Sequence, residues 1–187
     1  MSNNPMQSGH AVETSRAGMY DTKLEIVVIP VSDVDRAKRF YGDLGWRLDI
    51  DFKRDDYRVI QYTPPGSGCS VMFGKNITKA APGSVQGLHL IVSDIVAVRN
   101  DLLRRGIEIS EPFHDTGGVF HHADGNNVVS GLNPTRQSYA SYASFTDPDG
   151  NGWLLQEITV RLSADVEVGD PRFTSEVLKA IHSTTPD

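Results

Sequence analysis

The sequence predicts an α+β domain of two tandem βαβββ modules, followed by a C-terminal helix. Three observations support this fold. An apolar run that leads into Ser-Asp occurs twice, at residues 24–33 and 88–94. A glycine follows the aspartate at the same spacing in both copies, as Gly45 after Asp33 and Gly106 after Asp94. Each copy then continues into a strand, a turn and a strand, and such an internal repeat indicates duplicated modules.

The first module is expected at residues 23–74, after a polar N-terminal arm of residues 1–22 that we expect to be flexible. Its first run, 24–31, is nearly all apolar, which is typical of a strand buried on both faces. Ser32 or Asp33 can cap the following helix, because a short polar side chain accepts a hydrogen bond from the first helical turn. Gly45 suits the left-handed conformation that ends such a helix. A β-prone stretch at 46–50 and strands at 57–62 and 69–73 complete the module.

The second module is expected at residues 86–159, so that the two modules make one domain at 23–160. A linker at 75–84 with Ala, Pro and Gly separates them. Residues 86–92 predict the first strand of this module, and Asp94 and Gly106 bound its helix. A β-prone stretch runs from Ile107 to Ser110, and strands follow at 139–145 and 153–158.

The second module differs from the first by an insertion at residues 111–138. It shows no regular pattern, and loops of this length are usually functional lids or disordered segments. Phe120, His121 and His122 in the insertion favour a lid. A solvated loop whose histidines have no function is the alternative.

The chain becomes polar in the tail, residues 161–187. A further helix is predicted at about 171–182, because Asp170 can cap it and Pro171 suits its first turn. Its apolar stripe is typical of packing on the same domain or on another subunit rather than of ligand binding.

Composition excludes several classes of function. The net charge of −6 over 187 residues is spread along the chain, and no basic stripe is present that could follow a nucleic-acid backbone. No apolar run approaches the roughly 20 residues that cross a bilayer. The single cysteine, Cys69, cannot form an intramolecular disulfide, and there is no signal-peptide pattern. We therefore expect a cytoplasmic protein that contacts neither nucleic acid nor membrane.

Three segments resemble the vicinal oxygen chelate superfamily, the group of glyoxalase I, bleomycin-resistance proteins, fosfomycin-modifying enzymes and extradiol dioxygenases. They are Val-Ser-Asp-Val-Asp-Arg-Ala at 31–37, the repeated Val-Ser-Asp at 92–94, and Phe-Thr-Asp-Pro-Asp-Gly-Asn at 145–151. The resemblance covers about residues 23–158. It implies that the two modules form a curved mixed sheet around a ligand cleft, whose mouth the lid would cover, and it implies a homodimer.

The resemblance also allows the metal site of that superfamily to be compared position by position. The positions of its usual ligands are occupied here by Ile26, Gly87, Leu154 and Ser70. A catalytic divalent ion generally needs three protein ligands from His, Glu, Asp and Cys. The standard site is therefore predicted to be absent. A relocated site for a divalent metal remains an alternative, and its candidate ligands are His89, His121, His122 and Glu157.

Strand alternation predicts which side chains line the cleft, because residues two apart share a face. The predicted ligand-binding residues from the sheet are Ile26, Val28, Gln61, Ser70, Met72, Leu154 and Gln156, with Phe120 and His121 added from the insertion. By the same alternation, Glu157 points away from Leu154 and Gln156, which favours a structural partner such as an arginine.

His89 is the candidate catalytic residue, because it interrupts an otherwise apolar strand. A neutral imidazole there could act as a general base, a hydrogen-bond donor or a displaced metal ligand. The alternative is a buried histidine that a neighbouring group satisfies.

Two functions from different classes follow. The first is a binding protein that holds a small organic molecule between its modules without the standard metal, as bleomycin-resistance members do. The second is an enzyme, a glyoxalase-like lyase or a dioxygenase, which uses a relocated metal or His89 as acid and base. A structural module is a third possibility, but it leaves the inward polar residues unexplained.

Overall fold

The computed structural model describes residues 22–116, 125–160, 167, 169–170 and 173–183. Lys23–Thr159 form one compact unit. Its elements, in chain order, are β1 (Ile26–Val28), α1 (Val34–Asp43), β2 (Arg47–Lys53), β3 (Arg58–Thr63), β4 (Ser70–Lys75), β5 (Leu88–Val92), α2 (Ile95–Arg104), β6 (Phe113–Asp115), β7 (Val128–Ser130), β8 (Ser141–Thr146) and β9 (Gly152–Glu157). A last helix, α3 (Ser175–Ser183), belongs to a second unit.

The strands form two mixed sheets, one in each module. The strand order is β1-β4-β3-β2 in the first sheet and β5-β9-β8-β6-β7 in the second. In both sheets the first strand of the module pairs in parallel with its last strand, and the remaining pairs are antiparallel. The predicted α+β fold of two repeated modules is confirmed, with the strands divided between two sheets.

Helices α1 and α2 begin and end as their sequences predict. Asp33 caps α1, because its carboxylate accepts a hydrogen bond from the Arg36 amide at 3.0 Å, and Asp94 caps α2 in the same way. Gly45 and Gly106 follow the helices with φ angles of 79° and 81°. These angles lie in the left-handed region, which a residue with a Cβ enters only at a cost.

Both sheets pack against one shared hydrophobic core. Tyr41 on α1 lies 5.1 Å from the ring of Phe73 in the first sheet and 6.1 Å from the ring of Trp153 in the second. Ile95 and Leu102 bring α2 into the same core. Each sheet therefore turns one side towards this core, and successive residues along each strand alternate between that side and the outer side.

The first strand is shorter and more exposed than the sequence predicts. The run at 24–31 predicts a strand buried on both faces, but β1 covers only Ile26–Val28, and Val28 is 40% exposed. The prediction is wrong because β1 is an end strand of its sheet and Val28 points to the outer side.

The β-prone stretch from Ile107 to Ser110 does not form a strand either. The Ser144 amide donates to Ser110 Oγ at 2.9 Å. A side-chain oxygen thus takes the place of a backbone carbonyl, and the ladder does not extend.

Part of the insertion at 111–138 has regular structure, contrary to its pattern. Phe113–Asp115 and Val128–Ser130 pair antiparallel, and β6 also pairs with β8. The insertion therefore lengthens the second sheet to five strands. These strands have only three residues each, too few for alternation to be recognised in the sequence. Phe120, His121 and His122 lie outside the described residues.

The C-terminal helix begins later than predicted. It runs over Ser175–Ser183, where the sequence predicts 171–182 with Asp170 as the cap. Thr174 takes the capping place, since its Oγ1 accepts from the Val177 amide at 3.3 Å. Among the described helices none is long and apolar enough to cross a membrane.

Candidate functional site

The predicted binding residues of the first module lie together on the outer side of its sheet. The register pairs Ile26 with Ser70 and Val28 with Met72, and Met72 is paired in turn with Gln61. We call these five residues the module-one face. Alternation along three adjacent strands brings them together, including Gln61 on β3.

A chain of hydrogen bonds crosses the same face. The Ser70 and Thr63 hydroxyl oxygens are 2.7 Å apart, and Thr63 Oγ1 donates to the Asp49 carboxylate. Because the single proton of Thr63 goes to Asp49, Ser70 must donate to Thr63. Arg47 Nε also donates to Asp49 at 2.5 Å. The pKa of Asp49 is lowered, mainly by Arg47 and next by Thr63.

Sequence reasoning missed Asp49 and Thr63 as members of this face. The pairing of β2 with β3 shifts between Leu48 and Ile50. A bulge of this kind re-aims one side chain and ends simple alternation. The Trp-Arg-Leu-Asp-Ile sequence at 46–50 carries no recognisable sign of the bulge.

The predicted residues His89, Leu154 and Gln156 of the second module lie on the outer side of its sheet, together with Ile91 and Tyr142. His89 is paired with Leu154, and Ile91 with Gln156, which is paired in turn with Tyr142. We call these five residues the module-two face. His89 and Ile91 are exposed, whereas the other three are buried. The alternative of a buried histidine therefore does not describe His89.

The side-chain amide of Gln156 connects three groups on or near the module-two face. Its Nε2 donates to the Tyr139 carbonyl at 2.9 Å and to the Tyr142 hydroxyl at 3.1 Å. Its Oε1 lies 3.4 Å from His89 Nδ1. Burial raises the pKa of Tyr142, so that its hydroxyl stays protonated.

A cavity of about 700 Å³ opens beside the module-two face. Leu154 and Gly87 line it, and both stand where the resemblance would place metal ligands. Other lining residues are Ser110, Ser144, Thr146 and Gly152. A Cβ on Gly87 would meet no atom within 4 Å, so this position borders open space.

The residues present do not fit the metal of the superfamily. Ile26, Gly87 and Leu154 have no side-chain atom that can bind a metal, and the Ser70 hydroxyl alone cannot supply the three protein ligands that a catalytic ion needs. Within the described ranges, no three His, Cys, Asp or Glu side chains come close enough together to hold an ion. Of the candidate ligands for a relocated site, His121 and His122 lie outside those ranges.

Glu157, another of these candidates, lies on the core side of β9 and is buried. Its Oε1 accepts from Arg136 Nη2 at 2.6 Å and from the Ile95 amide at 3.1 Å, and its Oε2 accepts from Arg136 Nε at 3.0 Å. The arginine partner that alternation favours is therefore Arg136.

The two faces lie on different sheets. Since both sheets turn their other side to the shared core, the faces point away from that core. One chain therefore supplies two candidate half-sites, and each consists of apolar side chains around a small hydrogen-bond network. Sequence alternation predicts which side chains share each face, but it carries no information on how the two sheets are stacked.

Comparison with known proteins agrees with this architecture. The family model of the Glyoxalase/Bleomycin resistance protein/Dioxygenase superfamily matches residues 23–155. TnmS3, an antibiotic binding protein from Streptomyces sp. CB03234, is 27% identical with a TM-score of 0.56, and the match covers 75% of this chain and 99% of that one.

Two further solved structures show the same likeness. A glyoxalase/bleomycin resistance protein from the same Streptomyces is 28% identical over 72% of this chain and 100% of that one, with a TM-score of 0.52. A superfamily member from Sphaerobacter thermophilus DSM 20745 is 27% identical over 73% and 98%, with a TM-score of 0.54. No curated protein matches the chain. The repeated modules, their strand order and the match over residues 23–155 show that the chain belongs to the glyoxalase/bleomycin resistance protein/dioxygenase superfamily.

Proposed function

We propose that this protein binds a small organic molecule between the module-one face of one copy and the module-two face of a second copy, without the metal site of its superfamily. The chemistry of the two faces carries the proposal. Each presents apolar side chains with a few hydrogen-bonding groups that internal partners hold in place, which is typical of small-molecule sites.

The exposed strands support the homodimer. Val28 and Ile91 lie on β1 and β5, each of which is an end strand of its sheet, and are 40% and 43% exposed. Ile50 and Phe52, on the outer side of the first sheet, are 40% and 46% exposed. Proteins usually cover apolar end strands. A second copy on a two-fold axis covers both faces at once and places unlike faces opposite each other.

The size of the cavity and one relative indicate the class of ligand. About 700 Å³ lies within the range of roughly 300–1,000 Å³ usual for sites that take drug-sized molecules. TnmS3, at 27% identity, is an antibiotic binding protein. The ligand proposed here is accordingly a largely apolar organic molecule of antibiotic size.

The test is a ligand screen that separates binding from turnover. The purified protein is screened by thermal shift against aromatic antibiotics and related natural products. Hits are titrated by calorimetry, then recovered and identified by mass spectrometry. We expect saturable binding and unchanged compound. No saturable hit contradicts the proposal, and a chemically altered compound favours an enzyme instead.

A variant in the cavity locates the binding site. Leu154→Arg places a charged side chain in the cavity and should weaken binding by about tenfold or more. Leu103→Arg is the matched control, because Leu103 is an exposed residue of α2 and does not line the cavity. Equal affinity of the Leu154 variant and the wild type would place the ligand elsewhere.

An enzyme is the second candidate, and the exposure of His89 beside Gln156 favours it. Elemental analysis of carefully purified protein separates its metal-dependent form from the proposal above. We expect far less than one equivalent of Zn, Ni, Mn or Fe. A stoichiometric ion would indicate a relocated site and make a metal-dependent lyase or dioxygenase the leading function.

A further inference from the structure

The orientation of the Gln156 amide is fixed by its neighbours. The Tyr139 carbonyl lies 2.9 Å from one terminal atom of the side chain. A backbone carbonyl can only accept a hydrogen bond, so that terminal atom is the amide nitrogen. The other terminal atom is therefore Oε1, which has only acceptor capacity.

This orientation determines where the proton of His89 lies. Gln156 Oε1 is 3.4 Å from His89 Nδ1, and two acceptors do not form a hydrogen bond with each other. The contact is therefore a hydrogen bond only when Nδ1 carries the hydrogen. A neutral imidazole has one protonated nitrogen, so its Nε2 then has a free lone pair.

We infer that Gln156 is a positioning residue, which holds neutral His89 as its Nδ1–H tautomer and leaves Nε2 as a hydrogen-bond acceptor for the bound molecule. The site then selects ligands that carry an O–H or N–H donor, such as a phenol or an amine, over those with acceptors alone. This last step rests on the proposed binding function, whereas the tautomer does not.

Two further observations support a role in recognition. His89 is exposed on β5, an end strand of its sheet, so the shared core does not require its side chain. At the module-one face, Ser70 gives its proton to Thr63, which leaves the Ser70 oxygen as an acceptor too. Both half-sites therefore offer acceptors, and a donor-bearing ligand complements both.

Histidine side-chain NMR tests the tautomer in the free protein. Long-range proton–nitrogen spectra of protein with nitrogen-15 histidine distinguish protonated from unprotonated ring nitrogens, and His89→Asn identifies the His89 signals. The spectra are recorded at about pH 8.5, where an ordinary imidazole is neutral. We expect a protonated Nδ1 and a bare Nε2. A wild-type signal dominated by Nε2–H overturns the inference, and this result needs no variant to fold.

Two variants test the role of Gln156. Gln156→Leu should return His89 to the Nε2–H tautomer that imidazole prefers in water. Gln61→Leu makes the same chemical change on the other sheet and should leave the His89 signals unchanged. Gln156→Asn keeps an amide but is shorter, so it should act like Gln156→Leu. An unchanged tautomer in both folded Gln156 variants would mean that another group holds the ring.

A pair of probes tests the ligand class. 2-Naphthol carries a donor, and 2-methoxynaphthalene has nearly the same shape with an acceptor only. We expect 2-naphthol to shift the His89 Nε2 signal and the ether to leave it in place. Equal shifts, or no shift with either probe, overturn the donor preference. Because the tautomer is measured without ligand, failure of the binding function remains distinguishable.

Discussion

Tyr41 and Asp147 connect the two modules through one buried hydrogen bond. The Tyr41 hydroxyl donates to Asp147 Oδ2 at 2.9 Å and accepts from Trp153 Nε1 at 3.3 Å. Asn151 Nδ2 donates to the same carboxylate at 2.7 Å and to the Pro30 carbonyl at 2.9 Å. Burial, and next the charge of Asp147, raise the pKa of Tyr41 far above its ordinary value. The tyrosine is therefore a permanent donor, and the Asp-Pro-Asp-Gly-Asn turn holds the modules together.

Removing this hydroxyl should destabilise the whole unit. Tyr41→Phe leaves the buried carboxylate of Asp147 with one donor fewer, which should lower the free energy of unfolding by about 1.5–3 kcal/mol in urea titrations. Tyr62→Phe is the matched control, because the Tyr62 hydroxyl donates only to the neutral Lys38 carbonyl. The control should cost about 0.5–1.5 kcal/mol. Equal losses for the two variants would mean that the bond to Asp147 contributes nothing special.

Asp51 on β2 should make stability depend on pH. Arg58, and next Lys38, hold its pKa well below the ordinary value, because Arg58 donates two hydrogen bonds to it and Lys38 donates one. A carboxylate with a lowered folded pKa stabilises the fold above its unfolded pKa, and this stability is lost as pH falls through the folded pKa. The stability difference between wild type and Asp51→Asn should therefore be constant near neutral pH and shrink below about pH 4. Denaturant titrations that show a constant difference down to about pH 3 would contradict this.

Glu157 connects three structural elements, since it joins β9 to the start of α2 and to the segment before β8. Its carboxylate accepts from the first amide of α2 and from two nitrogens of Arg136. Arg136 has a positive φ of 53°, an uncommon conformation for a side-chain-bearing residue. The ion pair therefore helps to hold a bent connection in place beside the module-two face.

Removing the Arg136 side chain should lower the free energy of unfolding markedly, although the residue is partly exposed. Arg136→Met leaves a buried carboxylate with the Ile95 amide as its remaining partner, and the loss in unfolding free energy should be about 2–3 kcal/mol. Arg104→Met is the matched control, since Arg104 pairs with Asp101 on the surface of α2. Pairs of that kind contribute about 0–1 kcal/mol. A loss below about 1 kcal/mol in the Arg136 variant would show that the buried carboxylate finds other partners.

The two outward faces of the molecule predict a dimer, and a charged side chain introduced on one face should dissociate it. Phe52→Lys places a cation on the outer side of the first sheet and should weaken self-association by about tenfold or more in analytical ultracentrifugation. Leu103→Lys also replaces an exposed apolar residue, 42% exposed on α2, and should leave the dimer intact. A monomeric wild type at high concentration would contradict the proposed arrangement, as would dissociation by the α2 variant alone.

The repeated module can be predicted from the sequence, because its signals are local. Caps at Asp33 and Asp94 and glycines at 45 and 106 depend on hydrogen bonds and backbone angles within a few residues. The members of each face could also be predicted, because side chains alternate along a strand with a period of two, which places Ile26 with Val28 and Leu154 with Gln156. Departures from regular geometry could not be predicted. The bulge that re-aims Asp49 and the three-residue strands in the insertion leave no periodic trace.

The arrangement of the two faces and the partners of their polar groups depend on the tertiary structure. Alternation places Glu157 and Gln156 on opposite sides of β9. The pairing of Glu157 with Arg136, however, depends on a loop conformation that no local pattern encodes. The stacking of both sheets on one core depends on contacts such as Tyr41 with Trp153, which are over a hundred residues apart in the chain. Local hydrogen bonds and periodicity can therefore be recognised in one sequence. Contacts between distant residues, which direct the two faces outward, form only when the chain folds.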